Sequence, residues 1–173
     1  GIRDRDVTGV QTCALPISEI LTCRHEESAA GVAHGYAKAA GKPMGVMLHG
    51  TVGLQHGSMA LYNAWCDRVP MMVFAGNGID ANTRRPGVEW IHSAQDPAAL
   101  VREFVKWDDQ PASLQHFAES TVRAYKYTMT APMAPVVVCL DMDLQEDEIE
   151  HAEKLKIPKV TRLTQPQGDT TRS

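Results

Sequence analysis

The chain has 173 residues, a formal net charge of -4, 43% hydrophobic and 22% charged residues, close to the average of a soluble globular domain. No basic surplus points to nucleic acid or an anionic membrane surface, and no apolar run approaches the ~18 residues of a membrane span. Cys13, Cys23, Cys66 and Cys139 form no CxxC pair and no Cys/His ligand spacing, so neither a disulfide framework nor a zinc site is indicated, and a reducing, cytoplasmic setting is expected.

Gly1 to Ile17 (GIRDRDVTGVQTCALPI) has no helical or strand period and none of the architecture of a signal peptide. VTGVQTCALPI resembles the in-frame translation of a common sequencing-library adapter. Residues 1–17 are therefore expected to be non-native, with the protein proper starting at Ser18. Glu19 to Cys23 (EILTC) reads as a short strand. Glu26 to Ala40 carries Ala29, Ala30, Ala33, Tyr36, Ala37 and Ala40 at helical steps and is stopped by Gly41-Lys42-Pro43. Met44 to Leu48 predicts a second, buried strand, Leu54 to Trp65 a helix, and Met71 to Ala75 a third strand. Gly76 to Ser93 is polar and glycine-rich and reads as a long loop. Asp96-Pro97 opens a short helix to about Glu103, Phe104 to Trp107 suggests a strand, and Ser113 caps a helix with a stripe of Leu114, Phe117, Ala118, Thr121, Val122, Tyr125 and Met129. Pro135 to Leu140 (PVVVCL) is a last buried strand. From Thr161 the composition is that of a linker.

Continuous apolar strands alternating with helices predict an α/β fold, a parallel sheet flanked by helices on both faces. Ligands meet such sheets at the carboxyl ends of the strands. Arg24, His25 and Glu26, then His49 and Gly50, then Gly76 and Asn77 follow those ends. Each has a plain structural reading. Glu26 suits the first turn of a helix, where the dipole favours a carboxylate by ~0.3–1 kcal/mol. His49 is a strand-end histidine, and HGTVG lacks the spacing of a phosphate-binding loop. Small neighbours at Ala29, Ala30 and Gly31 favour a second role for Glu26, because close packing buries a carboxyl and adapts it to proton exchange. His25, Glu26 and His34 do not form a metal motif.

Taken in order, Glu26, Gly35-Tyr36-Ala37, the Gly50 to Gly53 turn, Asn63-Ala64 with Pro70, and Gly76-Asn77 resemble the pyrimidine-binding, N-terminal domain of thiamine-diphosphate-dependent enzymes. The likeness continues more weakly through VKWDDQPAS and PVVVCLD. The turn Leu48-His49-Gly50-Thr51-Val52-Gly53, with NAW at Asn63 to Trp65 and VKW at Val105 to Trp107, is closer to the benzoylformate-decarboxylase-like branch than to the acetolactate-synthase-like one. His56 departs from the Asn common at its position in both.

The resemblance implies a fragment of a 2-oxo acid decarboxylase or carboligase. Glu26 and His49 would be its catalytic residues, Glu26, Gly50 and Asn77 would bind the cofactor, and His49 and His56 would orient the substrate. Thiamine diphosphate would be held here by its pyrimidine half only. Magnesium and the diphosphate would belong to a second domain of a partner subunit, in a homodimer or homotetramer, and the chain alone would be inactive. Residues 18–150 are then expected to form a partial domain lacking its first helix and an interior strand, poorly stable alone. Residues 151–173 would lead toward a central domain. The rival expectation is a non-catalytic α/β nucleotide-binding or regulatory module in which Glu26 merely starts a helix.

Overall fold

The computed structural model describes residues 20–78, 92–149 and 151–161. Its regular elements are α1 (Glu26–Ala40), β1 (Gly45–Leu48), α2 (Gly50–Cys66), β2 (Met71–Asn77), β3 (Trp107–Asp109), α3 (Leu114–Met129), β4 (Pro135–Asp141) and α4 (Met142–Glu146), with 3-10 turns at Pro97–Leu100, Arg102–Phe104 and Ala152–Lys154. The strands form one sheet in the order β1-β2-β4-β3, every neighbouring pair parallel. No helix among the described residues is long and apolar enough to cross a membrane.

Burial explains why these segments pair. In β2, Met71, Val73 and Ala75 bury one face against the alanines of α1 and the small residues of α2, while Met72 and Phe74 pack on the other with Phe117 and Ala124 of α3. β4 is buried on both faces from Pro135 to Cys139, the pattern of a central parallel strand. The predicted α/β sheet covered on both faces is therefore present. β2 and β4 are parallel neighbours in register, so their carboxyl ends, Asn77 and Asp141, stand together.

Several boundaries differ from the sequence reading. Residues 20–23 form no strand, and Ile20 and Leu21 are 40% and 61% exposed. A strand exists only through a neighbour, and none among the described residues pairs with them. β1 is likewise an edge there, its Met47 side chain exposed. The helix after β1 starts at Gly50, four residues earlier than expected, because the Gly53 amide already closes a turn on the His49 carbonyl. β2 runs on through Gly76 and Asn77, which pair with Leu140 and Asp141, instead of ending at Ala75. The rest of the expected Gly76–Ser93 loop, residues 79–91, lies outside the described residues, as do residues 1–17 and the tail from residue 162.

The fourth expected strand is also displaced. Phe104 sits in a 3-10 turn and pairing begins at Trp107, because Arg102 clamps the turn. Its guanidinium donates to both carboxylate oxygens of Asp96 and to Asp108. Asp96 thus serves Arg102 rather than capping a helix. In α3 the fully buried residues are Ser120, Ala124 and Thr128, off the predicted apolar stripe. Hydroxyls can lie there because they are bonded: Ser120 Oγ donates to Asp109 Oδ2, while Thr128 Oγ1 accepts the Met71 amide at 2.9 Å and donates to the Ala134 carbonyl at 2.7 Å. The Ser113 cap forms as expected, its hydroxyl accepting from the His116 amide.

Two outcomes follow from this packing. Thr128→Val strands the buried Met71 amide and costs about 1–3 kcal/mol in denaturant unfolding, whereas Thr128→Ser keeps most of that stability. Cys139 is fully buried in β4, and burial pushes its thiol up to about 12. Iodoacetamide at pH 8 should therefore modify the exposed Cys23 and Cys66 and leave Cys139 unmodified in the folded protein, as read by peptide mass spectrometry.

Candidate functional site

α1 begins at Glu26 because His25 caps it, its extended backbone turning the Nδ1 lone pair onto the Glu27 amide at 3.2 Å. It ends at Gly41, whose φ of 66° suits glycine and whose amide returns to the Ala37 carbonyl. The Glu26 side chain lies over the glycine face of α2. A Cβ built on Gly53 would stand 3.4 Å from Glu26 Cγ, and one on Gly57 would stand 3.9 Å from Glu26 Cβ. The Glu26 side chain stays 25% exposed, and Nδ1 of His56 approaches its Oε2 at 3.5 Å. The His56 ring in turn stacks on His25, centroids 5.3 Å apart and planes 5° from parallel. The far ends of the two helices are tied by Asp67, whose carboxylate accepts from Lys38 at 2.7 Å and contacts His34 at 3.0 Å. Lys38 foremost, and then His34, hold the Asp67 carboxyl below its usual range.

A second group gathers at the start of α2. His49 precedes Gly50, whose φ is 49°. A Cβ on Gly50 would come within 2.8 Å of the His92 carbonyl and 3.1 Å of the Gly76 carbonyl, so both its conformation and the crowding require glycine. The His92 carbonyl accepts the Thr51 amide at 3.3 Å, satisfying one free donor of the helix start. His49 Nε2 and His92 Nδ1 are 3.0 Å apart, so one nitrogen must carry the proton and the other must accept it. Thr51 Oγ1 is buried without a hydrogen-bond partner among the described residues.

Asn77 is 3% exposed. Its amide donates to the Ala94 carbonyl at 3.1 Å and to Asp141 Oδ1 at 3.0 Å, and its oxygen accepts the Ala94 amide. Gln110, just beyond β3, donates to the same Asp141 oxygen at 2.7 Å. These bonds join the ends of β2, β3 and β4 and pin the chain at residue 94.

The expected site residues thus fall into two groups. Glu26 and His56 touch. His49 and Gly50 meet residue 92 about two helical turns away along α2, or ~9 Å at the rise of a helix. Asn77 faces inward into the strand-end network. His92, Gln110 and Asp141 were not anticipated. The positive φ of His92, 60°, has no sequence signature, and Asp141 and Gln110 had only their places just beyond strand ends to mark them. No group of three or more His, Cys, Asp or Glu among the described residues is arranged to hold a metal. Two hollows of about 460 and 550 Å³ lie along α3, one against Asp147, Ile149, His151 and Leu155 and the other against Pro158, Lys159 and Thr161, and include none of these side chains.

Comparison with known proteins identifies the family of the chain. Residues 11–100 match the model of the thiamine pyrophosphate enzyme family, N-terminal TPP binding domain. The chain is 33% identical over 119 residues to benzoylformate decarboxylase of Pseudomonas aeruginosa, covering 69% of this chain and 22% of that protein. It is 28% identical over 143 residues to the mitochondrial acetolactate synthase catalytic subunit of Saccharomyces cerevisiae, covering 83% and 19%. A crystal structure described as a thiamin diphosphate-dependent enzyme isolated from Mycobacterium smegmatis superposes with a TM-score of 0.70 at 26% identity, over 82% of this chain and 26% of that one. The chain therefore spans about a fifth to a quarter of the length of these relatives. The chain belongs to the thiamine pyrophosphate enzymes, as their N-terminal TPP binding domain.

Proposed function

We propose that this chain supplies the aminopyrimidine-binding half of the active site in a thiamine-diphosphate-dependent 2-oxo acid decarboxylase or carboligase. The observation that carries the reading is Glu26, a part-buried carboxylate at the start of α1, lying over the glycine face of α2 with no hydrogen bond among the described residues. The residues around it fit a flat heteroaromatic ring. The carboxyl is available, and the helix face beside it carries glycine at positions 53 and 57. When bound, the cofactor supplies a carbon nucleophile and an electron sink.

The chain's own residues have simpler tasks. Glu26 Oε holds or releases a proton at the ring nitrogen, and so controls how the ring handles protons elsewhere. Paired His49 and His92 share one proton between Nε2 and Nδ1 and can carry it to or from the reacting centre. Gly50 permits the tight turn that brings this pair to the end of β1. Asn77 acts through architecture, keeping the ends of β2 and β4 together.

Residues 18–150 are read as a partial pyrimidine-binding domain and 151–173 as a linker toward a central domain, with 1–17 an adapter translation. Magnesium and the diphosphate are assigned to a further domain contributed by a partner subunit of a homodimer or homotetramer in the cytoplasm. An exposed apolar surface supports that assembly: Val32 and Tyr36 of α1, Met59 and Tyr62 of α2 and Met47 of β1 are all more than a third exposed.

In the full-length protein, Glu26→Gln should slow cofactor activation at least ~100-fold, the usual scale for a positioned acid or base, measured as exchange of the thiazolium proton with solvent deuterium. Unchanged exchange overturns the role of Glu26. His49→Ala should lower turnover while thiamine diphosphate affinity is nearly retained; parallel loss of both would mark His49 as structural.

A further inference from the structure

We propose that His56 is a positioning residue for Glu26: a charged imidazole, steadied by the stacked ring of His25, that holds the Glu26 carboxylate and favours passage of its proton to a bound aminopyrimidine. The proposal rests on the reading of Glu26 given above. It assigns to His56 a task different from orienting substrate.

The geometry distributes the charge. His25 Nδ1 accepts the Glu27 amide, which requires a lone pair on that nitrogen, so His25 is neutral with its proton on Nε2. The His56 ring lies flat against it at 5.3 Å, an arrangement two imidazolium rings would oppose by repulsion. A positive charge carried by this pair is therefore placed on His56, whose Nδ1 is 3.5 Å from Glu26 Oε2. That distance is an ion-pair contact longer than a good hydrogen bond, and it leaves Oε1 uncommitted. A cation there pairs with the carboxylate that remains once the proton has left Glu26. In the transfer, the O–H bond of Glu26 breaks, its electron pair stays on the oxygen, and the proton is taken by the lone pair of the ring nitrogen. Nothing is oxidised or reduced.

The effect depends on pH. Among the described residues, the titratable groups in contact with His56 are Glu26 and His25, both from the start of α1. Within a turn on its own helix stand Val52, Gly53, Met59 and Ala60, none of them charged. The contact is an ion pair only while His56 is protonated, so its hold on the carboxylate falls as the pH rises.

The test is equilibrium binding of thiamine diphosphate to the full-length apoprotein, followed by intrinsic fluorescence at pH 6 and at pH 8. His56→Asn should weaken binding about tenfold at pH 6, the scale of one neighbouring charge, and by no more than about threefold at pH 8. In a Glu26→Gln background the same substitution should have no pH-selective effect. His56→Gln should reproduce His56→Asn, and thermal unfolding establishes that both variants are folded. An equal loss at both pH values, or a pH-selective loss that persists with Gln at position 26, overturns the proposal. Wild-type turnover in Glu26→Gln overturns instead the underlying reading of Glu26.

Discussion

The face that α1 turns inward is Ala30, Ala33 and Ala37, and the face that α2 turns inward includes Gly53, Gly57, Ala60 and Ala64. With so little side chain on either side, Glu26 settles directly on α2. A glycine inside a helix costs about 1 kcal/mol relative to alanine, so Gly53 and Gly57 weaken α2 in isolation. What offsets this is space. A Cβ at position 53 would stand 3.0 Å from the Leu48 backbone, and one at position 57 would stand 3.2 Å from a Leu48 methyl. Tertiary packing against β1 and α1 stabilises a helix that its own propensities would not. The same missing atoms allow Glu26 to reach His56.

Across the sheet, the second constraint is polar. Asp141 is fully buried at the end of β4 and accepts from Asn77 and Gln110, one from the end of β2 and one from beyond β3. A buried carboxylate is tolerated only with such partners. Because Asn77 also holds both backbone groups of Ala94, the network fixes the approach to His92, which meets His49 and Gly50. The two groups of candidate site residues thus depend on different physics: Glu26 on the closeness of helices, the histidine pair on buried hydrogen bonds at the strand ends.

Much of this was legible in the sequence, and what was missed has common causes. α1, α2 and the strands β1, β2 and β4 follow from apolar runs and punctuation by Gly and Pro, and Glu26, His49, Gly50 and His56 were visible by their places after strand ends or within a recognised pattern. The start of α2 was misread because glycines at 50 and 53 resemble a loop locally, and their helical conformation is set by contacts with Leu48, Gly76 and His92 that no local window contains. The buried face of α3 was misread because Ser120 and Thr128 count as polar until their partners, Asp109 and the Met71 and Ala134 backbone groups, are known. The EILTC run has strand composition, but pairing is non-local and its neighbour is not specified by its own residues. His92 and Asp141 matter through contacts with residues 43 and 64 positions away, a separation that sequence periodicity does not report.

The central claim is that the bare face of α2 lets Glu26 stand where it can serve the cofactor. Gly57→Val tests it most directly, because a Cβ at this position meets a Leu48 methyl at 3.2 Å and the Glu26 side chain at 3.9 Å. The measurement is thiazolium-proton exchange in the full-length holoenzyme for Gly57→Val, Glu26→Gln and the double variant. If the glycine acts through Glu26, Gly57→Val is folded and slow, and the double variant is no slower than Glu26→Gln. A folded Gly57→Val with wild-type exchange, or two losses that multiply in the double variant, would contradict the account.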